Sequence, residues 1–244
     1  MIARSPVLGE FMGTFVLLLL GNGVCAAVSL KRSKAENAGW MVVAAGWAFA
    51  VLFGIFMAQL FGSVDAHLNP AFTLAFAIKS HSFGKLLPFV IAQIAGAFLG
   101  ATATWIFYLP HWALTDDPAT KLGVFATGPT VRNYAWNLFC EALATFILIV
   151  VAGGISSKLV FGTGAAAGVG PLLVSFLIWA IGLSLGATTG YAINPARDFG
   201  PRLAHAVLPI AGKGSSDWSY AFVPVLGPCI GAALGGWVLL MIGA

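Results

Sequence analysis

The feature that most constrains the fold of this chain is an internal repeat of three sequence motifs. The first pair joins "GEFMGTFVLLLLGNG" (9–23) with "CEALATFILIVVAGG" (140–154), the second joins "HLNPA" (67–71) with "AINPA" (192–196), and the third joins "AQIAGAFLGA" (92–101) with "GPCIGAALGG" (227–236). The pairs occur in the same order in both halves, which predicts two copies of one structural unit. We therefore interpret 1–244 as a single domain, with repeat one at about 5–109, a connecting loop at about 110–133 and repeat two at about 134–244.

Long apolar segments place this domain in a lipid bilayer. The sequence is 59% hydrophobic and 8% charged. Six apolar segments approach the ~20 residues that cross a ~30 Å hydrocarbon core, namely 11–20, 41–60, 89–107, 138–151, 172–185 and 222–242. Each repeat holds three of them, and an odd number of crossings inverts the second copy relative to the first. The prediction is an all-α membrane protein with six transmembrane helices in an inverted repeat.

The two Asn-Pro-Ala boxes predict a re-entrant half-helix in each repeat. Asparagine is a preferred N-cap, proline suits the first helical position, and a small alanine lets two helix ends approach closely. The helical runs end at about Lys79 and His205, so ~10 residues at ~1.5 Å rise reach half-way through a bilayer. The boxes consist of Asn69, Pro70 and Ala71 in repeat one and of Asn194, Pro195 and Ala196 in repeat two.

The loops before the boxes are predicted to line a pore. Non-helical backbone at membrane depth is tolerated only where protein or a water-filled cavity surrounds it. Two helix N-termini meeting at the centre repel cations, and the amides of Asn69 and Asn194 would donate hydrogen bonds to passing hydroxyl oxygens. A water that accepts from both amides points its own hydrogens outward, which interrupts a proton wire.

With its paired boxes and the repeated Glu10 and Glu141, the chain resembles the major intrinsic protein family, the aquaporins and glycerol facilitators, over residues 5–243. The resemblance implies an aquaporin-like fold, a homotetramer with one pore per subunit, and no cofactor. It also implies that Arg197 projects into the narrowest part of the pore near the outer mouth.

The resemblance also implies that Trp47, Gly182 and Tyr191 surround this narrowest part together with Arg197. These four residues would form the selectivity filter of the pore. An aromatic corner opposite the Arg197 donors suits the carbons and hydroxyls of a linear polyol such as glycerol, and Gly182 would supply width. The loop before Asn69 is two residues longer than is usual in the family, so Phe49 is an alternative to Trp47.

Asp198 and Pro224 resemble the glycerol-facilitator branch of the family. Asp198 follows the arginine of the second box and could pair with Arg202 one turn later, or simply complement the helix dipole. These residues favour a passive channel for glycerol, similar small uncharged solutes and water. A water-selective aquaporin is the alternative.

Glu10 and Glu141 have a second interpretation, because a carboxylate inside a membrane is a candidate proton relay. Their matched positions favour hydrogen-bond acceptors for the irregular loops instead. A proton-coupled transporter therefore stays a less favoured alternative. His67 is expected to lie along the inner half of the pore.

Other function classes find little support in the sequence. The net charge of +4 comes from Lys and Arg scattered singly, without the basic runs that bind nucleic acid. No nucleophile or metal constellation is recognisable, so we expect no enzyme, no catalytic residue and no metal. Cys25, Cys140 and Cys229 are expected to be buried free thiols. An anion channel is disfavoured because the aromatic side of the predicted filter offers an ion too little hydration.

The orientation predicted by resemblance conflicts with the loop charges. Resemblance puts both termini in the cytoplasm, whereas the positive-inside rule favours the reverse. The resemblance assigns to the inside Arg4, Lys79, Lys85 and Lys158, and to the outside Lys31, Arg32, Lys34, Lys121, Arg132 and Lys213. The short termini suggest a prokaryotic cytoplasmic membrane.

Overall fold

The computed structural model describes residues 3–163 and 168–244, and within these ranges the secondary structure is helical without strands. The helices are α1 (Pro6–Ser29), α2 (Trp40–Leu60), α3 (Pro70–Ser80), α4 (Leu86–Phe107), α5 (Leu109–Trp112), α6 (Pro118–Phe125), α7 (Tyr134–Ser156), α8 (Lys158–Phe161), α9 (Val169–Ser184), α10 (Pro195–Val207) and α11 (Val223–Ile242).

Six apolar helices correspond to the six predicted spans. The five helices α1, α2, α4, α7 and α11 are long and apolar enough to cross a membrane. The sixth, α9, has 16 residues and begins directly after the segment that lies outside the described residues. The first span starts earlier than predicted, because the Ser5 side chain caps the helix by accepting from the Leu8 amide and Pro6 opens it. The predicted fold class is confirmed.

The two repeats interlock through their half-helices. The predicted half-helices are α3 and α10, and each begins at the proline of its box. The first span of each repeat packs against the last span of the same repeat, whereas α3 packs against α11 and α10 packs against α4. Each half-helix thus lies on the final span of the other repeat, so the packing of each half-helix depends on the other repeat.

Glycines allow the close approach of α1 to α4 and of α7 to α11. A Cβ atom on Gly100 would lie 2.5 Å from the Phe15 carbonyl oxygen, and one on Gly235 would lie 2.9 Å from the Ile149 Cβ. Larger side chains here would force the helices apart, as expected for packing in lipid, where small residues bring backbones together.

The loop between the repeats contains two short helices, α5 and α6, that were not predicted from the sequence. Asp117 caps α6 by accepting from the amides of Ala119 and Thr120, and Pro118 occupies the first position. The hydrogen bonds that Thr120 and Ala119 donate lower the pKa of the Asp117 carboxyl. This Asp-Pro pair is a helix-start signal that was available in the sequence.

The cysteines are free, but only one of them is buried. Cys25 is buried in the helix bundle, whereas Cys140 and Cys229 are half-buried on α7 and α11. The prediction of three buried thiols is therefore wrong for two of them, because their helices turn that side outward.

Charged side chains join the loops at each end of the bundle. At one end, Arg4 donates to the Gln59 carbonyl and Lys85 pairs with Asp65. At the other, Lys121 donates to the Ala211 carbonyl and Arg132 pairs with Asp217. The division of these charges between two ends agrees with the predicted topology, and the orientation stays a prediction.

Candidate functional site

The two Asn-Pro-Ala boxes meet at the centre of the bundle. The Asn69 side-chain oxygen accepts from the Ala71 amide at 2.9 Å, and the Asn194 oxygen accepts from the Ala196 amide at 3.0 Å and the Arg197 amide at 3.2 Å. Both asparagines are therefore N-caps.

The asparagine amides also connect the repeats to each other. Asn69 Nδ2 donates to the Ile193 carbonyl at 2.8 Å, and Asn194 Nδ2 donates to the Leu68 carbonyl at 2.9 Å. Since an amide nitrogen has two hydrogens, each asparagine keeps one hydrogen for another acceptor. Both side chains line the central cavity, so the geometry provides one donor from each repeat.

The loops before the boxes have matched backbone conformations. Ala66 and Leu68 have φ values of 45° and 53°, and Tyr191 and Ile193 have values of 36° and 42°. These residues stand three and one positions before each asparagine. Left-handed conformations are unfavourable for such side chains, and clusters of them at matched sites need support from the surrounding structure.

Glu10 supplies that support in repeat one. Its Oε1 accepts from the Ser63 hydroxyl at 2.7 Å and the His67 amide at 2.9 Å, and its Oε2 accepts from the Leu68 amide at 2.7 Å and Gln93 Nε2 at 2.8 Å. Four donors on one buried carboxylate offset the cost of its desolvation.

Glu141 occupies the matched place in repeat two with one donor fewer. The Thr189 hydroxyl donates to its Oε1 at 2.6 Å, as does the Ala192 amide at 2.9 Å, and the Ile193 amide donates to Oε2 at 2.9 Å. The repeat alignment places Pro228 opposite Gln93, so the fourth donor of repeat one has no counterpart. Both glutamates accept hydrogen bonds from the loops and neither lines the cavity.

A cavity of about 260 Å³ extends past the two boxes. One end is lined by Gln59 and Asp65 and the other by Trp47 and Arg197. Its polar side chains come mainly from the box loops, and its apolar wall comes from α1, α2, α7 and α9 through Leu17, Val51, Ile55, Leu148, Val174 and Ile178. The cavity is thus amphipathic along its length.

Arg197 and Trp47 form one end of the cavity. The guanidinium carbon of Arg197 lies 3.9 Å from the Trp47 ring centroid, and Nη1 donates to the Phe125 carbonyl at 3.3 Å. Arg197 is 8% exposed and Trp47 4%, whereas Phe49 is 45% exposed on the outer face of α2. Of the two aromatic candidates, the geometry therefore supports Trp47.

Gly182 and Tyr191 are in direct contact. A Cβ atom on Gly182 would lie 2.9 Å from Tyr191 Cζ and 3.0 Å from its hydroxyl oxygen. Tyr191 is one of the described residues that line the cavity, whereas Gly182 is not. The space that a side chain at Gly182 would occupy is filled by the Tyr191 ring, so the predicted widening by Gly182 is indirect.

Trp40 supports this contact from outside and was missed in the sequence. Its indole Nε1 donates to the Gly182 carbonyl at 2.9 Å, and its ring lies edge-on to Tyr191 with centroids 5.7 Å apart. Nothing in the local sequence distinguishes Trp40 from an interfacial aromatic residue.

His67 lies in an aromatic cluster near the other end of the cavity. Its Nδ1 is 3.2 Å from the Thr73 hydroxyl, and its ring packs against Phe72, Phe76 and Phe89 at 5.3–5.9 Å between centroids. It lines the cavity on the same side of the boxes as Asp65, in the predicted half.

Asp198 turns away from the cavity, although it follows Arg197 directly. Its Oδ1 accepts from Arg202 Nε at 2.7 Å, and its Oδ2 accepts from the amide of Thr127 at 2.8 Å and the Thr127 hydroxyl at 2.7 Å. The anticipated pairing with Arg202 is present, and the contact with Thr127, from the loop between the repeats, was not foreseen. Within the described ranges, no three His, Cys, Asp or Glu side chains are grouped to hold a metal ion.

Comparison with known proteins gives consistent matches over nearly the whole chain. The sequence profile of the family described as Major intrinsic protein matches residues 3–239. The glycerol uptake facilitator protein 3 of Lactiplantibacillus plantarum is 51% identical over 94% of this chain and 93% of its own, and a probable glycerol uptake facilitator protein of Thermotoga maritima is 52% identical over 95% and 96%. The X-ray structure of the aquaglyceroporin from Plasmodium falciparum is 26% identical, covers 98% of this chain and 96% of its own, and superposes with a TM-score of 0.84.

Proposed function

The chain belongs to the major intrinsic protein family, and we propose that it is a passive transmembrane channel for glycerol and similar small uncharged solutes, and also for water. The observation that supports this most directly is the amphipathic end of the cavity, which is lined by the rings of Trp47 and Tyr191 and by the guanidinium of Arg197. A polyol can place its carbons on the rings and its hydroxyls on the guanidinium.

Glycerol is the solute that the relatives favour. Two relatives with about half of their residues identical to this chain are named glycerol uptake facilitators, and the similar solved structure is an aquaglyceroporin. The apolar wall of the cavity would accept a carbon chain, which a channel for water alone does not need. Both lines of support point to small polyols.

Ion exclusion follows from the positive groups along the path. The N-termini of α3 and α10 each present roughly half a positive charge at the centre, and Arg197 adds a full charge at the filter. Protons are excluded because the remaining amide hydrogens of Asn69 and Asn194 orient the central water away from a continuous hydrogen-bonded chain.

Individual roles follow from these contacts. Trp47, Gly182, Tyr191 and Arg197 form the selectivity filter, with Gly182 acting through the position of Tyr191. The boxes, Asn69-Pro70-Ala71 and Asn194-Pro195-Ala196, form the centre. Glu10, Glu141 and Asp198 hold the loops, and His67 lines the inner half.

Two other transport modes remain as alternatives. A water-selective aquaporin would share the boxes and exclude glycerol at the filter. A proton-coupled transporter would need a titratable group in the path, whereas Glu10 and Glu141 accept hydrogen bonds from the loops instead. The channel has no catalytic residue, metal or cofactor in this proposal.

Assembly and location complete the proposal. The protein forms a homotetramer with one pore in each subunit and lies in the lipid bilayer of a prokaryotic cytoplasmic membrane, with both termini inside. Each subunit is one channel domain made of repeat one at about 5–109, the loop at about 110–133 and repeat two at about 134–244.

Stopped-flow light scattering on proteoliposomes tests the function. Water efflux in an impermeant osmolyte is compared with re-swelling in a glycerol gradient, each with and without a proton gradient. We expect fast, non-saturating glycerol entry that does not respond to the proton gradient. Fast water flow without glycerol entry would identify a water channel instead, and glycerol uptake driven by the proton gradient would identify a coupled transporter.

A further inference from the structure

We propose that Cys25 positions the Trp47 ring over Arg197 and thereby contributes to the choice between glycerol and water. The inference rests on the proposed channel function and adds a residue from α1 that does not line the cavity. Cys25 acts through Trp47 and is therefore a positioning residue.

The contact between Cys25 and Trp47 is a hydrogen bond inside the bundle. Trp47 Nε1 donates to Cys25 Sγ at 3.3 Å, and Cys25 is 6% exposed. An indole nitrogen is only a donor, so when it is buried it needs an acceptor. Sulfur is a weak acceptor but still satisfies that requirement.

The helix α1 holds the ring at two points that are one turn apart. A Cβ atom on Gly21 would overlap the six-membered part of the Trp47 ring, so the absence of a side chain there makes the space for it. Cys25 stands four residues later and holds the indole nitrogen. Gly21 thus sets how deeply the ring enters α1, and Cys25 sets its rotation.

The same ring also contacts the filter arginine. Arg197 lies over Trp47 at 3.9 Å, so a rotation of the indole would move the surface on which the guanidinium rests. The sulfur also draws the indole N–H away from the path, which keeps the aromatic corner apolar. Without an acceptor behind it, the N–H would turn towards water or a permeant hydroxyl.

Cysteine substitutions test this role through the ratio of glycerol to water permeability in proteoliposomes. In Cys25→Ala we expect this ratio to change by roughly two- to tenfold, the range that corresponds to one hydrogen bond. Cys25→Ser keeps an acceptor and should restore a ratio close to that of the native protein. Cys140→Ala and Cys229→Ala are matched controls on other helices and should leave the ratio unchanged.

A double-substitution cycle separates positioning from loss of packing. Trp47→Phe removes the N–H, so adding Cys25→Ala to it should produce no further change in the ratio. If Cys25→Ala changes the ratio by the same factor in both backgrounds, its effect is one of packing volume and the proposal is wrong. If Cys25→Ala does not assemble, Cys25→Val provides the same comparison, because it fills the volume without an acceptor.

A spectroscopic signal checks the hydrogen bond itself. The ultraviolet resonance Raman difference spectrum between the native protein and Cys25→Ala should show one indole N–H band shifting, and no shift would contradict the contact. Native channels that conduct glycerol while all Cys25 variants keep the native ratio would overturn this inference alone. Native channels that exclude glycerol would instead overturn the proposed function.

Discussion

Asp198 and Arg202 form an ion pair in which neither side chain is exposed to solvent. Arg202 also donates to the carbonyls of Thr127, Ser216 and Asp217, which belong to two separate segments of backbone. The pair therefore joins α10 to the loop between the repeats and to the segment before α11. Arg197, one residue away, keeps its guanidinium for the cavity because Asp198 has another partner.

We predict that Asp198→Asn destabilises the protein by about 3–5 kcal/mol, because it leaves the Arg202 charge buried without a counter-charge. Thermal unfolding of the detergent-solubilised protein measures this. Asp217→Asn is the matched control, since it removes a carboxylate from the more exposed pair with Arg132 and should cost about 0–1 kcal/mol. Equal losses in the two variants would contradict the importance of burial.

Gly182→Ala should narrow the filter through its neighbour. The added methyl would meet the Tyr191 ring at 2.9 Å and displace it towards the cavity. We expect glycerol permeability to fall by about tenfold, equivalent to ~1.4 kcal/mol of overpacking, with a smaller effect on water. Gly23→Ala, whose Cβ would meet no atom within 4 Å, is the control. Unchanged glycerol entry in Gly182→Ala would show that Tyr191 has room to move elsewhere.

Arg197→Val should weaken the exclusion of charged solutes. The substitution removes the positive charge and leaves a gap against Trp47. We expect leakage of small cations to rise by about tenfold, the change that ~1.4 kcal/mol of lost electrostatic barrier produces. A flux assay in vesicles with a cation-sensitive dye measures it, with Arg132→Val at the exposed end of the bundle as the control. An ion leak equal to that of the native protein would show that Arg197 does not exclude ions at the filter.

Glu10→Gln should be more harmful than Glu141→Gln. A glutamine turns an NH2 group towards donors, and each carboxylate oxygen of Glu10 accepts two donors, whereas Oε2 of Glu141 accepts only one. We expect Glu10→Gln to cost about 1–3 kcal/mol in thermal unfolding and Glu141→Gln to cost less.

The same variants distinguish support from proton relay. If the carboxylates only support the loops, glycerol entry into vesicles stays indifferent to a proton gradient in the native protein and in any variant that assembles. Native uptake that follows the gradient and becomes passive in Glu10→Gln would favour the relay.

Much of the architecture could be predicted because the local signals and the repeat agree. The boxes give both half-helix starts, since Asn69 and Asn194 are N-caps followed by proline. The apolar segments give the spans. Span boundaries were less accurate, because a cap such as Ser5 lies outside the apolar segment that revealed α1.

The filter was only partly predictable because it depends on contacts between distant helices. The choice between Trp47 and Phe49 follows from the face of α2 that packs on α1, and Gly21 of α1 makes the space for the ring. Small residues at helical spacing from Trp47, such as Gly54 and Ala58, contact α1 and mark that face in the sequence. Cys25, Trp40 and Thr127 have no such signal, because their roles appear only when the partners are known.

The amide of Asn194 and the carbonyl of Leu68, which bond across the centre of the bundle, are 126 positions apart in the chain. At a synthesis rate of about 5–20 residues per second, roughly 6–25 s pass between the emergence of the two partners from the ribosome. During that interval the Leu68 carbonyl lies at membrane depth without its native donor, which is costly in hydrocarbon. Until the second repeat is synthesised, the loop that contains Leu68 must therefore be hydrated or covered by other groups. This loop reaches its final conformation only when the second repeat has inserted.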